Sequence, residues 1–165
     1  MEASIYRDGA WTVWSTLWDG TIFEPGNQHE DITGGWTANG YHRGSNTTYP
    51  TAAEITDDGI YVEGIQNANR VMGTDIAIDL TEYKTIEVEY TVHSMYQTTS
   101  PGGIYVRDSK DIYLPPVSAA LNNTLGLGTT QLDISSLDAG SYYIWTMPGS
   151  NTSMKYTVHK IRLVK

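Results

Sequence analysis

No cysteine occurs in the 165 residues, which excludes a disulfide scaffold, a thiolate zinc site and a cysteine nucleophile while leaving the compartment open. Basic residues are scarce. Ten Lys and Arg stand against nineteen Asp and Glu, for a net charge of -9, and they are spread along the chain. A face for the nucleic-acid backbone needs clustered cations, so no nucleic-acid partner is expected. Long apolar runs are missing too: nothing approaches the roughly 18 residues of a membrane helix, and Met1-Glu2-Ala3-Ser4 has no basic stretch leading into an apolar one, so no membrane insertion is expected. Helical patterning is absent. No window sustains an i, i+3, i+4, i+7 apolar stripe behind a capped start, and Pro116 to Leu121 makes a short helical turn at most. What these absences leave is one acidic domain, large enough to bury a core of its own.

The residues that are present suit strands and turns. Twelve Tyr and five Trp accompany a single Phe, with Thr, Gly, Asn and Ser filling much of the remainder. Tyr, Trp and Thr fit a pleated, half-buried surface, and Gly, Asn and Asp supply the turns. Alternation is cleanest from Thr85 to Val92, where Ile86, Val88, Tyr90 and Val92 share one face and Glu87, Glu89 and Thr91 the other. Shorter alternating segments place Ile60 with Val62, and Ile76 with Ile78 and Leu80. Further strands are expected at Ile104 to Arg107, Asp111 to Leu114, Gln131 to Ile134 and Ser141 to Met147. In the last strand Met154, Tyr156 and Val158 are out of phase with Ile161 and Leu163, which predicts a β-bulge near His159-Lys160. Eight to ten such strands give an all-β fold, a two-sheet antiparallel β-sandwich of jelly-roll type. No linker or repeat divides it. Residues 1–18, with Trp11, Trp14 and Trp18, form a separate Trp-rich segment, an edge strand or a tail from a preceding domain; residues 19–165 form the sandwich.

Three stretches resemble a known kind of module: Leu17 to Gly20 with Gly26 to Trp36, then Ile78 to Val88, then Leu132 to Leu137 with Ser141 to Ile144 and Lys160 to Leu163. Together they are similar to jelly-roll accessory modules of phage and prophage tail or baseplate proteins of Gram-positive bacteria, themselves similar in architecture to carbohydrate-binding modules. The resemblance implies a sandwich that binds glycan on a virion, in the extracellular space or at a cell surface. Many carbohydrate-binding jelly rolls hold a structural calcium near the first strand. Glu30-Asp31 matches that habit loosely, so calcium is left open and no metal ligand is assigned.

Binding sugar takes flat apolar faces for pyranose rings and planar polar groups for hydroxyls. Trp36, Asn39, Tyr41 and Arg43 lie within one Gly-punctuated stretch that offers both, against the more common reading in which Trp36 closes one end of the core and the rest is solvated loop. The second concentration is Tyr142-Tyr143-Ile144-Trp145. If Tyr143 and Trp145 point outward they form a platform, or else the Trp-rich segment covers them; Tyr61, Tyr105 and Arg107 are expected on outward positions of the same surface.

Signatures of catalysis fail. Glu87 and Glu89 stand about 7 Å apart on one strand face, a spacing inverting glycosidases use, but neighbours on a solvated face titrate alike. His29-Glu30 opens a metalloprotease pattern that Thr33 ends, and there is neither a G-x-S-x-G elbow nor a P-loop lysine. The expected function is therefore a non-catalytic module for cell-surface or polysaccharide glycan within a phage tail or extracellular assembly. The alternative is a purely structural module that packs on copies of itself or on other tail or surface proteins, without sugar.

Overall fold

The computed structural model describes residues 4–7, 10–13, 20–39, 52–64, 71–96, 102–108, 117–122, 124–148 and 153–165. In chain order the strands are β1 Ser4–Arg7, β2 Ala10–Val13 and β3 Thr21–Phe23, followed after the one-turn helix α1 (Glu30–Thr33) by β4 Trp36–Asn39. Next come β5 Ala52–Thr56, β6 Gly59–Gly64, β7 Val71–Thr74, β8 Ile78–Asp79, β9 Thr85–Tyr96 and β10 Gly103–Arg107. Strands β11 Val117–Ala120, β12 Gly126–Asp133, β13 Ser141–Met147 and β14 Ser153–Val164 complete them. Two sheets of six form the sandwich. Sheet I runs β4-β7-β13-β10-β11 with β8 on β13; sheet II runs β5-β6-β14-β9-β12 with β3 on β14. All pairings are antiparallel, and the chain passes from sheet to sheet at most connections, the jelly-roll pattern. Strands β1 and β2 pair with each other, in register from Ser4↔Val13 to Arg7↔Ala10. Trp14 and Trp18 lie outside the described residues.

Period-two alternation dictates which side chains meet between the sheets. From sheet II come Ile86, Val88, Tyr90 and Val92, Ile60 and Val62, and Met154, Tyr156, Val158, Ile161 and Leu163, all buried. Facing them from sheet I are Trp36, Met72, Ile104, Val106 and Ile144. Each such side chain is worth about 1.5–3 kcal/mol in transfer from water, so the alternation accounts for most of the drive to fold. Two phenols inside are paired. The Tyr156 hydroxyl in sheet II meets Thr146 Oγ1 in sheet I at 2.7 Å, and the Asn122 amide donates to the Tyr90 hydroxyl at 2.7 Å. Gly128 lies directly opposite Tyr90, where a Cβ would come within 2.8 Å of the ring.

The expected bulge is present. Val158 pairs with Tyr90 and Lys160 with Glu89, so His159 is the unpaired residue and both phases of β14 reach the core. A second bulge lies on β9: Lys155 pairs with Ser94 and Tyr156 with Val92, leaving His93 unpaired.

Some expectations fail for identifiable reasons. Val117–Ala120 is a strand and not a helical turn, because it pairs with Gly103–Val106 and sends Val117 and Ala119 toward the core. Ile76 is 44% exposed and outside any strand: the Ile76 amide donates to the Thr33 carbonyl and that of Asp75 to the Gly35 carbonyl, so β7 turns away at the end of α1. That one-turn helix itself had no signal in the pattern. Fourteen strands stand among the described residues, more than the eight to ten expected, since short strands such as Thr21–Phe23, Trp36–Asn39, Ala52–Thr56 and Val71–Thr74 form where no alternation is legible in the sequence. Asp111 to Leu114 lie outside the described residues.

Candidate functional site

The outer face of sheet I carries a row of cross-strand partners, Ser118–Tyr105–Trp145–Gly73–Thr37, running over β11, β10, β13, β7 and β4. Two residues along, Arg107 pairs with Tyr143 on the same face. Ile144 and Thr146 point the other way into the core, which leaves Tyr143 and Trp145 as the pair directed away from it. The five-membered part of the indole lies over Gly73, where a Cβ would fall 2.7 Å from Trp145 Nε1 and closer still to Cδ1. Only a glycine allows the ring to lie down on the neighbouring strand. Arg107 adds its guanidinium, with the central carbon 5.1 Å from the indole centroid.

Trp145 and Arg107 are 2% and 3% exposed although they stand on the face away from the core. They form a floor. Tyr105 and Tyr143 are half-buried beside it, and burial raises the Tyr105 phenol above its usual pKa. At the edge of the face the Thr37 hydroxyl donates to Asp75 Oδ1 (2.6 Å). Half-buried tyrosines on a sheet can stack their rings on the C–H face of a ring ligand and hydrogen-bond its substituents through their hydroxyls.

The residues singled out from the sequence separate into three groups. Tyr143 and Trp145 share this face with Tyr105 and Arg107. Trp36 belongs to the core: it is 3% exposed, donates its indole N–H to the Ile22 carbonyl (3.3 Å) and packs edge-on against Phe23, with centroids 5.8 Å apart. No face of that indole is open to a ligand. Asn39 ends β4, the edge strand of sheet I, while Tyr41 and Arg43 lie outside the described residues. Tyr61 does not join Tyr105 and Arg107, because β6 is in sheet II and its outward residues face the opposite side of the sandwich. Gly73 had a signal, a lone glycine between Met72 and Thr74 in a strand-like stretch, but its partner across the sheet is visible only once the strand order is known.

Glu87 and Glu89 also point outward, from sheet II. Glu87 accepts from Arg162 Nε (3.2 Å) and Nη2 (2.5 Å) and from Gln131 Nε2 (2.9 Å), and Glu89 stands opposite Lys160 and Thr129. Among the described residues no three His, Asp or Glu side chains stand together as a metal site.

No protein-family model matches the chain, and no curated protein matches it. Solved structures do resemble it in fold. One is a family 11 carbohydrate-binding module from Clostridium thermocellum in complex with a β-1,3-1,4-mixed-linked tetrasaccharide (14% identity, 78% of this chain and 88% of that one, TM-score 0.48). Another is the non-crystalline-cellulose-specific module CBM28 (9% identity, 79% and 87%, TM-score 0.48). A third is the CBM22-1 xylan-binding domain of Paenibacillus barcinonensis Xyn10C (16% identity, 81% and 88%, TM-score 0.39). At these identities and TM-scores they bring no ligand, site residue or activity to this chain.

Proposed function

We propose that the chain is a non-catalytic module that binds cell-surface or polysaccharide glycan on the outer face of sheet I. The observation that carries the reading is the alignment of Tyr105, Trp145, Arg107 and Tyr143 on adjacent strands of one rigid face. Trp145 and Arg107 hold the floor, and Tyr105 and Tyr143 meet the sugar rings. Asn39, at the end of β4, and Tyr41 and Arg43, which follow it in the chain, stay in the proposal on the strength of the sequence, whereas Trp36 takes no part. A setting on a phage tail, or on another virion or extracellular assembly, draws its support from the sequence resemblance alone. There, many weak contacts would add up through multivalency.

Leu125 and Leu127, exposed at the start of β12 on the edge of sheet II, favour one second reading, a structural module that packs on protein. Isothermal titration with soluble glucan, xylan and purified Gram-positive cell-wall polysaccharide, with and without added calcium, separates the two. Saturable binding that Tyr143→Ala removes supports the glycan reading. A blank across the series, together with self-association by light scattering, supports the structural one.

A further inference from the structure

The outer face of sheet II holds an arrangement that the proposed site does not use. At its centre Thr91 on β9 and Thr157 on β14 are direct cross-strand partners. Each strand bulges beside this pair, and in each case the unpaired residue is a histidine that bonds the threonine of the other strand. His93 Nε2 lies 2.8 Å from Thr157 Oγ1, and His159 Nε2 lies 2.7 Å from Thr91 Oγ1. His159 Nδ1 is 2.8 Å from the Asp58 carbonyl oxygen. A carbonyl only accepts, so Nδ1 carries a hydrogen, and in the neutral ring Nε2 receives the Thr91 hydroxyl. Both polar ends of that imidazole are committed to holding the bulge in place.

His93 is different. Its Nε2 is anchored on Thr157, while its ring is exposed and inclined at 39° to Tyr61, with centroids 6.3 Å apart. Tyr61 comes from β6, beyond β14, so the two rings form a shallow V across that strand above Thr157, which is only 4% exposed. Polar groups stand around the V. The Tyr61 hydroxyl donates to Glu63 Oε2 (3.0 Å) and so keeps its own lone pairs for an incoming donor. Glu63 pairs with Lys155 Nζ at 2.8 Å, which cancels charge at the rim, and Ser94 is exposed beside His93. A regular ladder would have aimed neighbouring residues to opposite faces; the bulge turns both His93 and Ser94 outward.

We infer that this V of Tyr61 and His93 is a second ligand surface, which takes one ring of a neutral sugar. The C–H face of a pyranose stacks on Tyr61, and its hydroxyls bond His93 Nδ1, the Tyr61 oxygen, Ser94 and Lys155. The Lys155–Glu63 pair is compensated, and Glu54, the cross-strand partner of Tyr61, adds one exposed carboxylate, which disfavours an anionic ring and suits the hydroxyls of a neutral one. The surface is on the opposite side of the sandwich from Tyr143 and does not depend on that face binding anything.

Amide chemical-shift mapping tests it, using glucan, xylan and chitin oligosaccharides at millimolar concentration as probes. Saturable shifts at Tyr61, His93, Ser94 and Lys155 are expected with at least one probe, weakened about tenfold by Tyr61→Ala, a loss of one favourable stack. His93→Gln, which keeps a planar donor and acceptor at that position, is expected to retain more of the affinity than His93→Ala. The Tyr143→Ala protein is expected to keep these shifts. Shifts confined to the Tyr105 and Tyr143 face overturn the second surface and leave the proposed site standing. Absence of shifts in β6, β9 and β14 with every probe overturns it as well, as does a Tyr61→Ala protein that folds and binds there unchanged.

Discussion

The bridge between Tyr156 and Thr146 is the most direct place to test how the sheets are joined. Thr146 Oγ1 meets the Tyr156 hydroxyl at 2.7 Å and also lies 3.3 Å from the Gly103 carbonyl, and both residues are buried. Thr146→Val keeps the shape of the side chain and removes its polar atom, which leaves the Tyr156 hydroxyl buried without a partner. Such a loss costs about 1–3 kcal/mol. Tyr156→Phe is milder, about 0.5–1.5 kcal/mol, because Thr146 still has the Gly103 carbonyl. In the double variant no hydroxyl is stranded, so it is expected to be no less stable than Thr146→Val alone, with a coupling of about 1 kcal/mol or more. Urea denaturation reads all four proteins, and the Thr146→Val loss should lower Tm by about 2–4 °C per kcal/mol. Two single effects that simply add, or a Thr146→Val cost below about 0.5 kcal/mol, would refute the reasoning.

The same phenol predicts an alkaline limit. Burial raises the Tyr156 pKa far above the ordinary 10.0, so its contribution is complete below pH 10.0 and is lost as pH rises beyond it, when only the unfolded chain gives up the proton. Melting curves of the parent against Tyr156→Phe from neutral pH to pH 11 are expected to converge as alkalinity rises. On the acid side, hydrogen bonds from the Thr81 hydroxyl and amide to Asp79, and from the side chain and amide of Ser135 to Asp133, lower both carboxyls below 3.8. Their contribution is present above pH 3.8 and fades as pH falls through the lowered values, so Asp79→Asn with Asp133→Asn should flatten the acid limb of a stability-against-pH curve. Deleting His159 removes only the unpaired residue and keeps Met154, Tyr156, Val158, Ile161 and Leu163 facing the core. It is expected to yield folded protein, whereas deleting Glu89 sets Ile86 and Val88 against Tyr90 and Val92 and is expected to abolish the cooperative melt.

Where alternation is continuous, one residue's face implies its neighbours', which is why β9 and the bulge at His159 are legible from the chain alone. The bulge at His93 is hidden because Val92 and Met95 bracket it too near the strand end for two phases to be read. Site residues are harder. Parity within β13 puts Tyr143 and Trp145 on one face, but which face that is, and that Tyr105 and Arg107 share it while Tyr61 does not, takes the order of strands in two sheets. Trp36 illustrates the remaining ambiguity: its stretch is rich in loop residues, and only the Ile22 carbonyl and the Phe23 ring show that it faces inward.

The central claim is that glycan binds across Tyr105 and Tyr143. Titration of the parent, Tyr143→Ala and Tyr105→Ala with the best-binding polysaccharide tests it most directly. Saturable binding that each variant weakens about tenfold, at unchanged Tm, is the predicted result. Binding that neither variant alters would contradict it.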